Sequence, residues 1–153
     1  MHCTINSFRR LWQAPQALVI AAFLLLMLPG IVPAQLWLEV RSVTVPTAQA
    51  GAPVALSVNR SIRRHFHADW DVLVRRRSPM GWLIVCTAHG GGDYRPDAVL
   101  PENLTLDWWT EGACPTLARG TYIVTTTWEV ETGLPILIPP RRVTAQSNPF
   151  IVK

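Results

Sequence analysis

The stretch Leu117-Ala118-Arg119-Gly120-Thr121-Tyr122-Ile123-Val124-Thr125-Thr126-Thr127-Trp128-Glu129-Val130 constrains the fold more than any other part of the chain. Gly120 supplies a turn, and the β-branched and aromatic run behind it is a strong strand signal. Side chains alternate along a strand, so Tyr122, Val124, Thr126, Trp128 and Val130 share one face. Such a segment reads as the central strand of a β-sandwich.

The chain of 153 residues has room for one modest domain and a targeting segment. His2 to Gln16 carries Arg9 and Arg10 without an acid, and Ala17 to Leu28 is an unbroken apolar run. Next come Pro29-Gly30 and Val32-Pro33-Ala34-Gln35. A basic start, a short apolar core and small residues at the end describe a secretory signal peptide, with cleavage after Ala34. A retained signal-anchor is the competing reading, because Leu11 to Val32 covers the ~20 residues that a bilayer crossing needs. Residues 1–34 are therefore expected to be leader or anchor, and residues 35–153 an exported domain: periplasmic, secreted, or membrane-anchored and facing outward. Arg9 and Arg10 belong to the formal charge of +4, so the remainder carries +2. That balance does not indicate a nucleic-acid surface.

Beyond residue 35 the pattern is one of short strands. Leu36 to Val45 ends at Pro46 and suits an edge strand. Val54, Leu56 and Val58 alternate in a second strand, and Arg60 to His67 reads as a basic connection. Trp70, Val72 and Val74 alternate in a third strand, and Trp82, Ile84 and Cys86 in a fourth beyond the turn at Ser78-Pro79-Met80-Gly81. His89-Gly90-Gly91-Gly92-Asp93 breaks the alternation and reads as a flexible loop. Leu104, Leu106 and Trp108 would share a face of a fifth strand, with Trp109 on the other. After the opening stretch come Arg142 to Ala145 and Phe150 to Val152, bulged at Ser147-Asn148-Pro149. About seven short strands at regular spacing predict an all-β protein, a single antiparallel sandwich.

Trp70 opening its strand, and Leu117-Ala118-Arg119-Gly120-Thr121-Tyr122 entering a late one, resemble the immunoglobulin and fibronectin type III superfolds. The resemblance covers residues 38 to 153 and is one of architecture, not of a particular family. It implies that Tyr122 bonds backward to lock its corner, with Trp70, Gly120, Tyr122 and Trp128 as structural residues. Val124 stands two residues after Tyr122, where antibody domains carry a cysteine, so antibody-type function is not implied.

Cys3 falls in the basic start of the leader, which leaves Cys86 and Cys114 as an even pair in an oxidising compartment and favours a disulfide over two free thiols. His65, His67, Asp69 and Asp71 would share a face of an extended segment, making a weak metal candidate with Arg63 and Arg64 beside it. Cys86 with His89 is weaker still. The glycine run lacks the Lys-Ser or Lys-Thr of a phosphate loop, and no serine sits in a nucleophile elbow, so neither an enzyme nor a cofactor is expected. Arg60, Arg63 and Arg64 precede the third strand and Arg75, Arg76 and Arg77 end it, roughly 25 Å apart at normal strand rise. Each cluster suits anionic lipid, a cell-wall polymer, an acidic protein, or plain solvation. In the oily segment Leu134-Pro135-Ile136-Leu137-Ile138-Pro139-Pro140, prolines prevent strand pairing, leaving Leu134, Ile136, Leu137 and Ile138 as a contact loop or a lid over the core. Asn59-Arg60-Ser61 and Asn103-Leu104-Thr105 match the glycosylation acceptor. The expected function is a non-enzymatic exported module that binds a protein partner or an envelope component. The alternatives are a glycan or cell-wall binder using Trp109, Tyr94 and the arginines, and a small metal protein.

Overall fold

Residues 16–26, 33–132 and 139–153 are described in the computed structural model of the chain. Residues 16–26 form a helix, α1, with exposed side chains. Among the described residues, no helix is long and apolar enough to cross a membrane. Much of the leader or anchor span lies outside the described residues. Packing of the folded body begins at Ala34, buried in a 3-10 turn (Ala34–Leu36), one residue before the boundary drawn from sequence.

The body is mostly β, with β1 (Leu38–Thr44), β2 (Ser57–Ile62), β3 (Phe66–Ser78), β4 (Gly81–Tyr94), a short helix α2 (Leu106–Trp109), β5 (Gly120–Val130), β6 (Arg141–Gln146) and β7 (Phe150–Val152). The strands form two sheets: β1-β2, and a larger one in the order β4-β3-β5-β6 with β7 also on β5. All the ladders between these strands are antiparallel. Both sheets turn apolar faces toward one core, the architecture of a sandwich.

β5 lies inside the larger sheet, where Tyr122, Val124, Thr126, Trp128 and Val130 are all buried. Its entry is built as a corner. Gly120 takes a φ of +157°, and a Cβ there would approach Arg76 Nε to 2.7 Å. Two residues on, the Tyr122 hydroxyl donates to the Ala118 carbonyl at 2.8 Å while its ring stacks on Phe150. A single net hydrogen bond contributes about 1 kcal/mol. Tyr122→Phe is therefore expected to lower stability by about that much in urea titration; an unchanged midpoint would show that the corner does not depend on the hydroxyl.

Bulges account for the loose alternation of the first strand. The β1–β2 register shifts between Val40 and Ser42, so Leu38 is buried on one side of the shift and Val43 and Val45 on the other. The chain pairs with β2 as far as Thr44 and also runs parallel to the last strands, through bridges Val43–Ser147 and Ala48–Val152. Asn148 seals this edge: its side chain accepts from the Val45 N–H and donates to the Val45 carbonyl, both at 2.9 Å. The side-chain amide replaces a missing backbone partner at the interruption between β6 and β7.

Three segments differ from the sequence expectation. β2 runs to Ile62 and absorbs Arg60, leaving only a short connection before β3. The glycine run is not a loop: β4 continues through it, paired to β3 as far as Phe66–Tyr94. The reason is steric. A Cβ on Gly90 would lie 2.4 Å from the Trp70 ring, so the missing side chain is where the indole sits. Finally, residues 104–109 are not a strand. Leu106 N–H pairs with Val54 and Leu56 N–H with Leu104, but Thr105 then caps a helical turn by accepting from the Trp108 N–H at 3.3 Å. Helical phase buries Trp109 at 8% exposure and leaves Trp108 at 53%, the reverse of the partition expected of a strand with Trp108 on the Leu104 and Leu106 face.

Candidate functional site

A cleft of about 760 Å³ opens between the inner face of the larger sheet and the layer made by β2 and α2. Inner-face positions of β3 and β5 form one wall, with Trp70 opposite Trp128 in register and Val72 opposite Thr126. β4 adds Gly92 and Tyr94, and α2 with its exit adds Trp108, Trp109 and Glu111. The opening exists because β4 carries glycines on this face. Gly90 makes way for Trp70, and a Cβ on Gly92 would meet nothing within 4 Å.

The rings form a graded series. Trp128, 1% exposed, meets Trp109 edge-on at 6.1 Å between centroids, and Trp109 meets Trp108 at 6.3 Å with a 40° tilt. Both inner indoles have their N–H groups satisfied: Trp109 donates to Thr126 Oγ1 at 2.9 Å and Trp128 to the Tyr94 hydroxyl at 3.1 Å. Their rings are held by those bonds and offer apolar surface only. Trp70 is half-buried and not wholly in the core, so part of its ring faces the cleft. The Arg60 guanidinium lies 5.5 Å over the Tyr94 ring. Burial pushes the Arg60 pKa down and the Tyr94 phenol up. Asn103, Asp107 and Glu111 supply further polar groups at the cleft, while Asp93 borders it through its backbone and its carboxylate lies with His67 on the outer face. Glu111 takes a φ of +48°, uncommon for a residue with a side chain.

Cys86 and Cys114 lie at disulfide distance, with Cα atoms 6.1 Å apart. The pair ties the segment after α2 to β4, so it also holds one wall of the cleft against the other. Cys86 is thereby committed away from His89, which is exposed on the opposite face of β4.

The metal-ligand row is not assembled. His67, Asp69 and Asp71 are exposed at alternate positions of β3, and His65 precedes the strand. His67 turns to the neighbouring strand, its Nδ1 3.1 Å from Asp93, while Asp69 is 3.9 Å from Nε2. Among the described residues, no group of three or more His, Cys, Asp or Glu is placed to hold a metal ion. The hydrogen bond to Asp93 raises the His67 pKa above its ordinary 6.5, and the same bond lowers Asp93 below 3.8. Stability is linked to both shifts. The histidine's contribution is full below pH 6.5 and fades as pH rises through the raised value. The aspartate's is present above pH 3.8 and fades as pH falls through the lowered one. An NMR titration is expected to place the His67 midpoint above 6.5 and to find it lower in Asp93→Asn; equal midpoints would dismiss the pairing.

The two arginine groups are distributed among separate partners. Besides Arg60 on Tyr94, Arg64 lies over Trp37 at 5.7 Å and Arg77 over Trp82 at 5.4 Å. Arg63 pairs with Glu39 at 2.8 Å, Arg75 donates to Thr125 at 3.1 Å, and Arg76 donates to the Arg119 carbonyl at 2.7 Å. The expected contact residues Leu134, Ile136, Leu137 and Ile138 lie outside the described residues. Of the residues expected from sequence to serve a glycan binder, Tyr94, Trp109 and Arg60 line the cleft, although Trp109 is buried and Trp108 is the exposed ring. Trp70 and Trp128, read from sequence only as structural residues, line it too, and the legible signal for the wall is the alternation of Gly90, Gly92 and Tyr94 with His89, Gly91 and Asp93, which preserves strand phase where a loop is expected.

Comparison of the chain with protein-family models, with curated proteins and with solved structures returned no match.

Proposed function

We propose that this chain is an exported, non-enzymatic recognition module with an immunoglobulin-like fold, and that the aromatic cleft is where it meets its partner in the cell envelope. The cleft is the observation that carries the reading. Concave, largely apolar sites edged by a few polar groups are the usual form of a binding site. In this one the deep rings are fixed by hydrogen bonds, whereas Trp108 stands exposed at 53%.

Strand order supports the fold assignment. β1, β2 and the 104–106 segment stand on one side, and β4-β3-β5-β6 on the other. With β6 and β7 taken as one interrupted edge strand, and the bridged 104–106 segment standing in for a third strand beside β2, this matches the three-against-four division of such sandwiches, with the Tyr122 bond at the corner before β5. The departure is the disulfide-distance pair, which joins β4 to the corner segment instead of linking the two sheets through β5. A cysteine pair at that distance is compatible with an oxidising compartment, as is the basic and apolar start of the chain.

The test is retention of the purified full-length protein on envelope material from the organism that encodes it, beside Trp108→Ala. Loss of retention in the variant supports recognition through the cleft. Equal retention of both proteins, or of neither, overturns it.

A further inference from the structure

The chemistry of the cleft narrows its ligand. We propose that it binds a neutral, gluco-configured oligosaccharide, an assignment that rests on reading the cleft as the recognition site. A pyranose with equatorial hydroxyls has apolar C–H faces above and below, and a girdle of groups that both donate and accept hydrogen bonds. The cleft offers the complement of each part. Trp108 and Trp70 present partly exposed indoles, and the N–H groups of Trp109 and Trp128 are already engaged within the protein, so these deeper rings have only apolar surface to give.

The polar groups are of mixed kind. Asp107 and Glu111 accept, Arg60 donates, and the Asn103 amide does both. A hydroxyl-rich ligand satisfies all of them, whereas a purely apolar one would strip them of water without return.

Charge argues against anionic ligands, and the Tyr94 face that would suit a cation is already taken. Two carboxylates, Asp107 and Glu111, against one guanidinium disfavour a uronic acid or a phosphate. Arg60 already lies over the Tyr94 face, so a cationic ligand would meet a like charge there. Size agrees as well: about 760 Å³ falls within the range of small-molecule sites and exceeds what one sugar ring fills. Glu111 holds a left-handed backbone at φ +48° beside Gly112, a conformation that costs a non-glycine residue energy and turns the chain where it leaves α2 at the cleft.

Calorimetric titration of the purified full-length protein with cellohexaose, chitohexaose and hexagalacturonate tests the assignment. One or both neutral sugars are expected to bind and the anionic one to bind at least tenfold more weakly. Trp108→Ala should weaken binding at least tenfold, with part of the loss recovered in Trp108→Phe. Trp108 is exposed, so near-ultraviolet circular dichroism should report both variants folded. The proposal is overturned if neither neutral sugar binds at about 10 mM, if hexagalacturonate binds as well as they do, or if Trp108→Ala binds like the parent. Envelope retention separates the two levels. If it depends on Trp108 but is abolished by protease treatment of the envelope, the ligand is a protein: the saccharide assignment falls and the recognition module stands. If retention is indifferent to Trp108, both fall.

Discussion

Trp128→Ala is expected to lower stability by about 3–5 kcal/mol, the usual cost of truncating a buried tryptophan to alanine. Trp128 is 1% exposed and touches three walls at once. It stands opposite Trp70 across β5 and β3, meets Trp109 edge-on, and donates to the Tyr94 hydroxyl at 3.1 Å. Removing the indole leaves a void that neighbouring strands cannot collapse into without breaking register, and it leaves a half-buried phenol without its donor. Chemical denaturation monitored by near-ultraviolet circular dichroism measures the loss. A cost under about 1 kcal/mol would mean that the centre of the core lies elsewhere. Trp128→Phe separates the terms, since it keeps most of the volume and deletes the donor; a loss of about 1 kcal/mol is expected for the missing bond.

Removing the Cys86–Cys114 pair is the second large effect. Cys86 and Cys114 are separated by 28 positions, and closing a loop of that size in the unfolded chain contributes on the order of 3–4 kcal/mol. Cys86→Ala with Cys114→Ala should lower the urea midpoint accordingly, and reducing agent should destabilise the parent while leaving the double variant unchanged. Free thiols in the folded parent, by mass spectrometry without reduction, would dismiss the pair. A functional effect is expected too, because the pair joins β4 to the segment behind α2. Loosening that joint lets Trp108 and Glu111 move relative to Trp70, so Trp108-dependent binding should weaken even where the mutated domain stays folded.

Different parts of this molecule are legible in the sequence to different degrees. The period of two in Tyr122, Val124, Thr126, Trp128 and Val130 reveals a buried central strand, because a strand flanked by others on a packed sheet must be apolar along its inner face. The 104–109 segment misleads, since Leu104, Leu106 and Trp108 fit a strand period. Over so few residues, period alone does not separate a strand from one helical turn. The Thr105 cap decides it, together with the local hydrogen bonds of the turn behind it. The glycine run misleads for another reason. Glycine is depleted in strands because it has no side chain to pack, yet opposite Trp70 the packing is provided by the partner's ring. The arginines read as two clusters in the sequence, but each takes a different partner: Tyr94 and Trp37 lie far along the chain from Arg60 and Arg64, and Trp82 lies across the β3–β4 turn from Arg77.

By itself the sequence determined the features that arise from local pattern: a mostly β body, a glycine–tyrosine corner ahead of the most apolar strand, and a single cysteine pair beyond the leader. These depend on residues near one another in the chain, or on simple parity. Only the tertiary structure decided where the indoles meet. Trp70, Trp108, Trp109 and Trp128 come from three separate elements, and whether each is core, wall or rim depends on strand register and on which turn is helical. A register shift of one residue would send Trp70 and Trp128 to the opposite face, and no property of the residues alone carries that information. The cleft is a product of register.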